Sequence, residues 1–171
     1  MDTTDIFWAY EMVHRLGTLV RDVNGSGGGV SDEFVSLNLM FDQLVTREPL
    51  RATTLRLFRD GHWARAVEEG YKTLNQVVKA KSGVDLDGQA LMQHCFSEKK
   101  PLLLINGLKT SSERSEQNGY QMILSGVMVG IRNPRAHDPE LSDSPQDALE
   151  LLIIANHLLG IVDRSTYFPN G

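Results

Sequence analysis

Cysteine is nearly absent: Cys95 stands alone in 171 residues, so no internal disulfide can staple the fold, and the usage fits a reducing cytoplasm. Cys-x-x-Cys and His-Glu-x-x-His are missing too, and His94 beside Cys95 would point about 100° away from it on a helix. The sequence therefore offers no metal site and implies no cofactor. Long apolar runs are also lacking. The longest, within LELLIIANHLLGIV, is broken by Asn156 and His157 and is too short to cross a bilayer unaided, so no membrane partner is expected. The opening MDTTDIFWAYEMVHR is acidic and lacks the basic start and cleavage site of a secretion signal. No sequence repeat is visible.

What is present is an ordinary globular composition, 41% hydrophobic and 23% charged, in a length suited to one domain with an appendage. The net charge of −5 argues at first against nucleic acid, but its distribution does not. Residues 47–81 carry eight basic and four acidic side chains, and residues 99–135 carry six and two. The segments before, between and after are acidic. The two basic blocks are either charge clusters on solvated helix faces or, if they share a face, an attractor for a phosphate backbone.

The periodicity is helical almost throughout. Residues 1–46 read as an N-terminal extension of two helices around NGSGGG (24–29), the first over 3–23 and the second capped by Ser31 and running to about Thr46. Residues 47–171 read as a helical bundle. Pro49 opens a helix that ends near Asp60–Gly61, and HWARAVEEGYKTLNQVVKAKSG follows with the stripe Ala66, Gly70, Leu74, Val77 and Val78, closed by Gly83. DGQALMQHCFS is a short helix, and KKPLLLING is the one stretch where a strand is expected to fit. The long segment 112–132 spaces Tyr120, Ile123, Leu124, Val127, Met128 and Ile131 at three and four, while Gly119, Gly126 and Gly130 are expected to admit another backbone. Ser144, Pro145 and Asp147 start a last helix whose LLII centre is apolar nearly all round, as in a bundle centre or a subunit contact. The fold class is all-α.

The stretch that bears on function is GIRNPRAHD (130–138). In an unbroken helix Arg132 and His137 would lie about 140° apart. Pro134 disfavours helical geometry at Asn133 and tends to end the helix there, and Asn133 can also cap a new turn that starts with Pro134, so His137 would be free to converge on Arg132. These residue types suit RNA cleavage through the 2′-OH. A neutral imidazole accepts the hydroxyl proton, and a guanidinium forks two donors to phosphate oxygens as charge develops, with no metal required. Spacing alone is weak, because about one such Arg–His interval is expected by chance. The chain holds two, the other being Arg56–His62, and salt-bridged or capping side chains explain either.

The wider pattern adds to this. SGVMVGIRNPRAHD, with NGYQMILSG, FRDGHWARAVEEGYKTLNQVVKAKSG and DGQALMQHCFS before it, resembles the Ymh-type family of phage- and plasmid-associated proteins, a branch of the HEPN superfamily, over about residues 50–165. The resemblance implies a HEPN-type bundle, a homodimer, and metal-free RNA cleavage in a cleft across the two-fold axis. By position it assigns catalysis to Arg132 and His137, with Asn133 as the polar neighbour. It implies a toxin or anti-phage context, in which an inhibitory or regulatory protein partner is possible. It also draws attention to Glu68 and Lys72, an E-x3-K pair that either braces the site or is a surface i,i+4 pair, and to Arg135, which either contacts a flanking phosphate or is solvated. His14, His62, Trp63, Cys95 and His157 read as structural. A HEPN module that binds RNA, nucleotide or protein without cleaving is the alternative function, and a purely structural helical dimer is a third.

Overall fold

The structure is a computed structural model that describes residues 30–168; the helix expected over 3–23 and the Gly-rich break after it lie outside the described residues. The chain divides into two compact units, Met1–Met40 and Phe41–Gly171. Seven α-helices are present among the described residues: α1 (Val30–Leu44), α2 (Glu48–Arg59), α3 (Trp63–Ser82), α4 (Gly88–Cys95), α5 (Ser111–Val127), α6 (Asn133–His137) and α7 (Pro145–Arg164). A π-helical turn, Met128–Arg132, joins α5 to α6. The second unit is an all-α bundle in which α3 packs against α2 and α7 on one side and α4 and the π-turn on another. None of these helices is long and apolar enough to cross a membrane.

Helix ends follow their local chemistry. Pro49 sits in the first turn of α2, where an amide proton is not needed. Gly83 closes α3 at φ 70°, a left-handed cap that a side chain would strain. Thr110 and Glu113 form a reciprocal capping box on α5, and the Ser144 hydroxyl accepts from the Asp147 amide at the start of α7. In α2, Leu50, Thr54 and Phe58 recur every four residues and are fully buried; the Thr54 hydroxyl donates to the Leu50 carbonyl at 2.7 Å. Four of the five residues in the expected α3 stripe are buried, and Val77 is half-buried. The Tyr71 hydroxyl ties α3 to α7 by donating to the Leu151 carbonyl at 2.9 Å, and burial pushes its ionisation well above the usual phenol range.

No neighbouring atom comes within 4 Å of where a Cβ would stand on Gly119, Gly126 or Gly130. The glycines that admit neighbours are Gly70, where a Cβ would meet Leu152 Cδ2 at 2.8 Å, and Gly160, over which the Arg47 guanidinium passes to reach Asp163. The LLII centre of α7 is one-sided: Leu152 is fully buried, whereas Ile154 is 42% exposed.

The strand expected within KKPLLLING is real but brief. Leu103–Leu104 (β1) pairs antiparallel with Thr166–Tyr167 (β2) beyond α7. A buried glutamine on α5 anchors it. The Gln117 amide donates to the carbonyls of Phe96 and Leu103 at 3.1 and 3.0 Å and accepts from the Ile105 amide at 2.9 Å.

Candidate functional site

Pro134 does not end the helix. Asn133 keeps helical angles, φ −63° and ψ −44°, and α6 continues to His137. The strain is relieved upstream, where the π-turn makes the Asn133 amide donate to the Met128 carbonyl, five residues back. The widened turn seats the proline ring at the start of α6, where it needs no amide proton. The Ile131 carbonyl accepts from Arg135 Nη1 at 2.8 Å. The expected helix break at Asn133 is therefore overturned. Arg132 closes the π-turn and His137 closes α6; regular helical geometry would set their backbones about 140° apart around the axis and about 7.5 Å apart along it.

Their surroundings differ. Arg132 is half-buried, donates to Asn133 Oδ1 at 3.2 Å, and has no carboxylate partner among the described residues. It lines a depression of about 520 Å³ with Lys72, Asn75, Gln76 and Lys79 from α3 and Asp87 from the following loop. The two basic blocks meet here. Every arginine and lysine of the first block has a partner: Arg47, Arg51, Arg56, Arg59, Arg65, Lys72 and Lys79 are ion-paired, and Lys81 donates to the carbonyls of Val162 and Asp163. His137 is exposed and lines neither this depression nor the cleft at the N-terminal end of α3.

Glu68 and Lys72 are more than a solvated surface pair. The Glu68 side chain is 9% exposed, and Lys72 Nζ lies 2.6 Å from its Oε1 and 3.2 Å from Glu69. The hydrogen bond to Glu68 is the main influence raising the Lys72 ionisation, so this ammonium is fixed beside Arg132 in its charged form. Arg135 is largely buried and held in an ion pair. Its Nε donates to Asp143 Oδ2 at 2.7 Å and its Nη2 pairs with Oδ1, with the two side chains 10% and 8% exposed. It braces the segment between α6 and α7 and forms part of a cleft of about 570 Å³ with Trp63, Arg65 and Glu68.

Cys95 is fully buried, as expected of a core thiol, and its ionisation is raised by burial. The second Arg–His interval is a surface feature: Arg56 is 93% exposed and paired with Asp60, and His62 is exposed at the N-cap of α3. Among the described residues no group of three or more His, Cys, Asp or Glu is placed to hold a metal ion.

Three features went unread in the sequence. Tyr120 Oη and His157 Nε2 are hydrogen-bonded at 3.0 Å, joining α5 to α7. Asn156 Oδ1 accepts from the amides of Thr46 and Arg47 at 2.9 and 2.8 Å, fixing the entry to α2. Gln76, Lys79 and Asp87 stand beside Arg132. A heptad step from Lys72 pointed to Lys79; nothing local pointed to Asp87.

Comparison with known families matches residues 48–162 to the family described as "Protein of unknown function (Hypoth_ymh)". Comparison with curated proteins and with solved structures gave no match.

Proposed function

The chain belongs to the Ymh-type family, and from that membership and the site's geometry we propose that it is a HEPN-type, metal-independent endoribonuclease that works as a homodimer. The observation that carries this reading is Arg132. It is a half-buried guanidinium with no carboxylate partner among the described residues, opening beside Lys72 and Lys79, while His137 stands exposed at the end of α6.

Within one copy the two groups line no common depression, so in this reading a second copy completes the site. Helix α5 carries a face suited to one. Gly119, Met122, Ile123 and Gly126 fall within about 100° of arc on it. The space around the glycines is open, and Met122 and Ile123 are 63% and 48% exposed. Glycines on a helix face let a second helix approach closely, and burying the exposed apolar side chains drives the contact. This face leads directly into the π-turn and Arg132.

In the reaction, the imidazole of His137 takes the proton from a ribose 2′-OH, O2′ bonds to phosphorus, and the P–O5′ bond breaks. The departing 5′ oxygen takes a proton from an imidazolium of the other copy or from water. Arg132 neutralises the phosphorane oxygens with paired N–H donors, and Asn133 holds its guanidinium. The products are a 2′,3′-cyclic phosphate and a 5′-hydroxyl. DNA, lacking the nucleophile, is inert. In a cell such an activity fits a toxin or anti-phage effector held in check by a regulatory partner.

One observation favours a non-catalytic RNA-binding module instead: His137 does not line the depression that Arg132 lines. Incubating single-stranded RNA with the protein in excess EDTA, beside Arg132→Ala and His137→Ala, separates the two. The nuclease reading requires cleavage by the parent alone, with cyclic-phosphate ends, and a dimer in sedimentation that Gly126→Trp disrupts. Binding without cleavage leaves the module, and a parent that is strictly monomeric removes the composite site.

A further inference from the structure

Lys72, Asn75, Gln76 and Lys79 recur at steps of three, one and three, so they share the face of α3 that borders the π-turn. The α3–α4 loop brings a carboxylate to that face in an unusual way. Asp87 occupies the N-cap position of α4, where an aspartate ordinarily turns forward to accept from its own helix's amides. It makes no such bond. Its carboxylate turns back to α3, where Oδ1 accepts from Asn75 Nδ2 at 2.9 Å and Oδ2 from Lys79 Nζ at 3.3 Å, an ammonium it shares with the exposed Asp85 carboxylate at 2.9 Å. The hydrogen bond from Asn75, then Lys79, then the field of Arg132, hold its ionisation below the usual carboxylate range. Asn75 also fixes the loop itself, accepting from the Gly88 amide at 2.8 Å.

The depression beside Arg132 is thus already receiving an oxyanion, supplied by the chain at the expense of a helix cap. Lys72, Lys79 and Arg132 bring three cations to it: Glu68 and Glu69 pair with Lys72, Asp85 and Asp87 with Lys79, and Arg132 has no carboxylate partner among the described residues, while the exposed Gln76 amide adds a neutral donor. A carboxylate and a phosphodiester present the same kind of acceptor to these donors. The face from Lys72 to Lys79 extends about 10 Å along α3, room for a backbone to run past Arg132 rather than end there.

We propose that this depression is a subsite for an RNA backbone phosphate adjoining the one at Arg132, that Lys79 and Gln76 bind its oxygens, and that the Asp87 carboxylate competes with it for Lys79. The α3–α4 loop then sets how tightly the strand is held. This rests on RNA being the ligand of the Arg132 site but not on its being cleaved.

The test measures binding of a labelled short single-stranded RNA by anisotropy across a salt series. The full-length chain carries His137→Ala so that the RNA stays intact. Lys79→Gln weakens binding and lowers the slope of log K against log salt by about one, the signature of one lost phosphate contact. Gln76→Ala weakens binding with the slope unchanged. Asp87→Asn, which keeps an oxygen for Asn75 but drops the charge, tightens binding. Asp87→Ser, which restores an ordinary cap, does the same should the asparagine disturb the loop. Asp87 variants that melt like the parent yet bind equally or more weakly overturn the proposal. So does an unchanged salt slope in Lys79→Gln, or displacement of the RNA by ATP at equal phosphate concentration, which would assign the site to a free nucleotide. With His137 restored, the same ordering of affinities without cleavage sinks the nuclease reading and keeps the subsite. Cleavage with all four variants binding like the parent does the reverse, and RNA left unbound at low salt removes both.

Discussion

Gln117 is a fully buried polar side chain that makes three hydrogen bonds, so its replacement should cost the bundle measurably. Leucine at this position keeps the volume and removes every polar atom, leaving the Phe96 and Leu103 carbonyls and the Ile105 amide without their partner. Gln117 is fully buried, so water does not replace the amide without opening the fold. Three bonds at about 1 kcal/mol each place the loss near 3 kcal/mol, with more if the orphaned groups stay dry. At a urea slope of about 2 kcal/mol/M, the unfolding midpoint falls by about 1.5 M. Hydrogen exchange should localise the effect, with the Ile105 amide losing protection first and the β1–β2 ladder next. Gln121 is the control. It sits one turn along α5 and donates to the Gln93 carbonyl from an exposed position, so Gln121→Ala should stay within about 0.5 kcal/mol of the parent. A Gln117→Leu protein that unfolds at the parental midpoint would falsify the assignment of this residue as the anchor of the 96–105 segment.

Two further outcomes follow from the ion pairs. Asp143→Ala strands the Arg135 guanidinium, whose side chain is 10% exposed, and should destabilise by about 3–5 kcal/mol in thermal or urea unfolding; a change under about 1 kcal/mol would mean that solvent reaches this pair readily. Asp42, Asp87 and Glu113 all ionise below the ordinary carboxylate range, held there chiefly by hydrogen bonds from Arg51, Asn75 and the Thr110 amide respectively. Because the unfolded chain binds these protons more readily, their stabilisation is complete above the unfolded carboxylate values near pH ~4 and is lost as pH falls through the folded ones. The urea midpoint should therefore decline on acidification below about pH 4, and a midpoint that rises over that range contradicts the pairing.

Much of the architecture is written locally. Helix caps and breakers act over three or four residues, so Pro49, Gly83, Thr110 with Glu113, and Ser144 with Pro145 mark element ends that the sequence alone locates. Apolar periodicity likewise reveals the buried side of α3, because a helix must hide its stripe whatever it packs against. The residue types at 132–137 were equally legible, and so was the chemistry they suit.

What the chain does at Pro134 was not legible, because two local solutions compete there. A proline after Asn133 can end a helix or be absorbed by a π-turn, and packing of the surrounding turns against α3 and α4 selects the second. With that choice His137 does not line the depression that Arg132 lines. The fate of each cation was equally hidden. Arg135 and Lys79 are both basic residues in basic stretches, yet one is buried against Asp143 and the other faces the depression beside Arg132. Their carboxylate partners come from separate loops, eight residues away in each case. Sequence decides what a side chain is able to do; only the packing of loops against helices decides which charge it meets, because electrostatic attraction depends on distance in space and not along the chain.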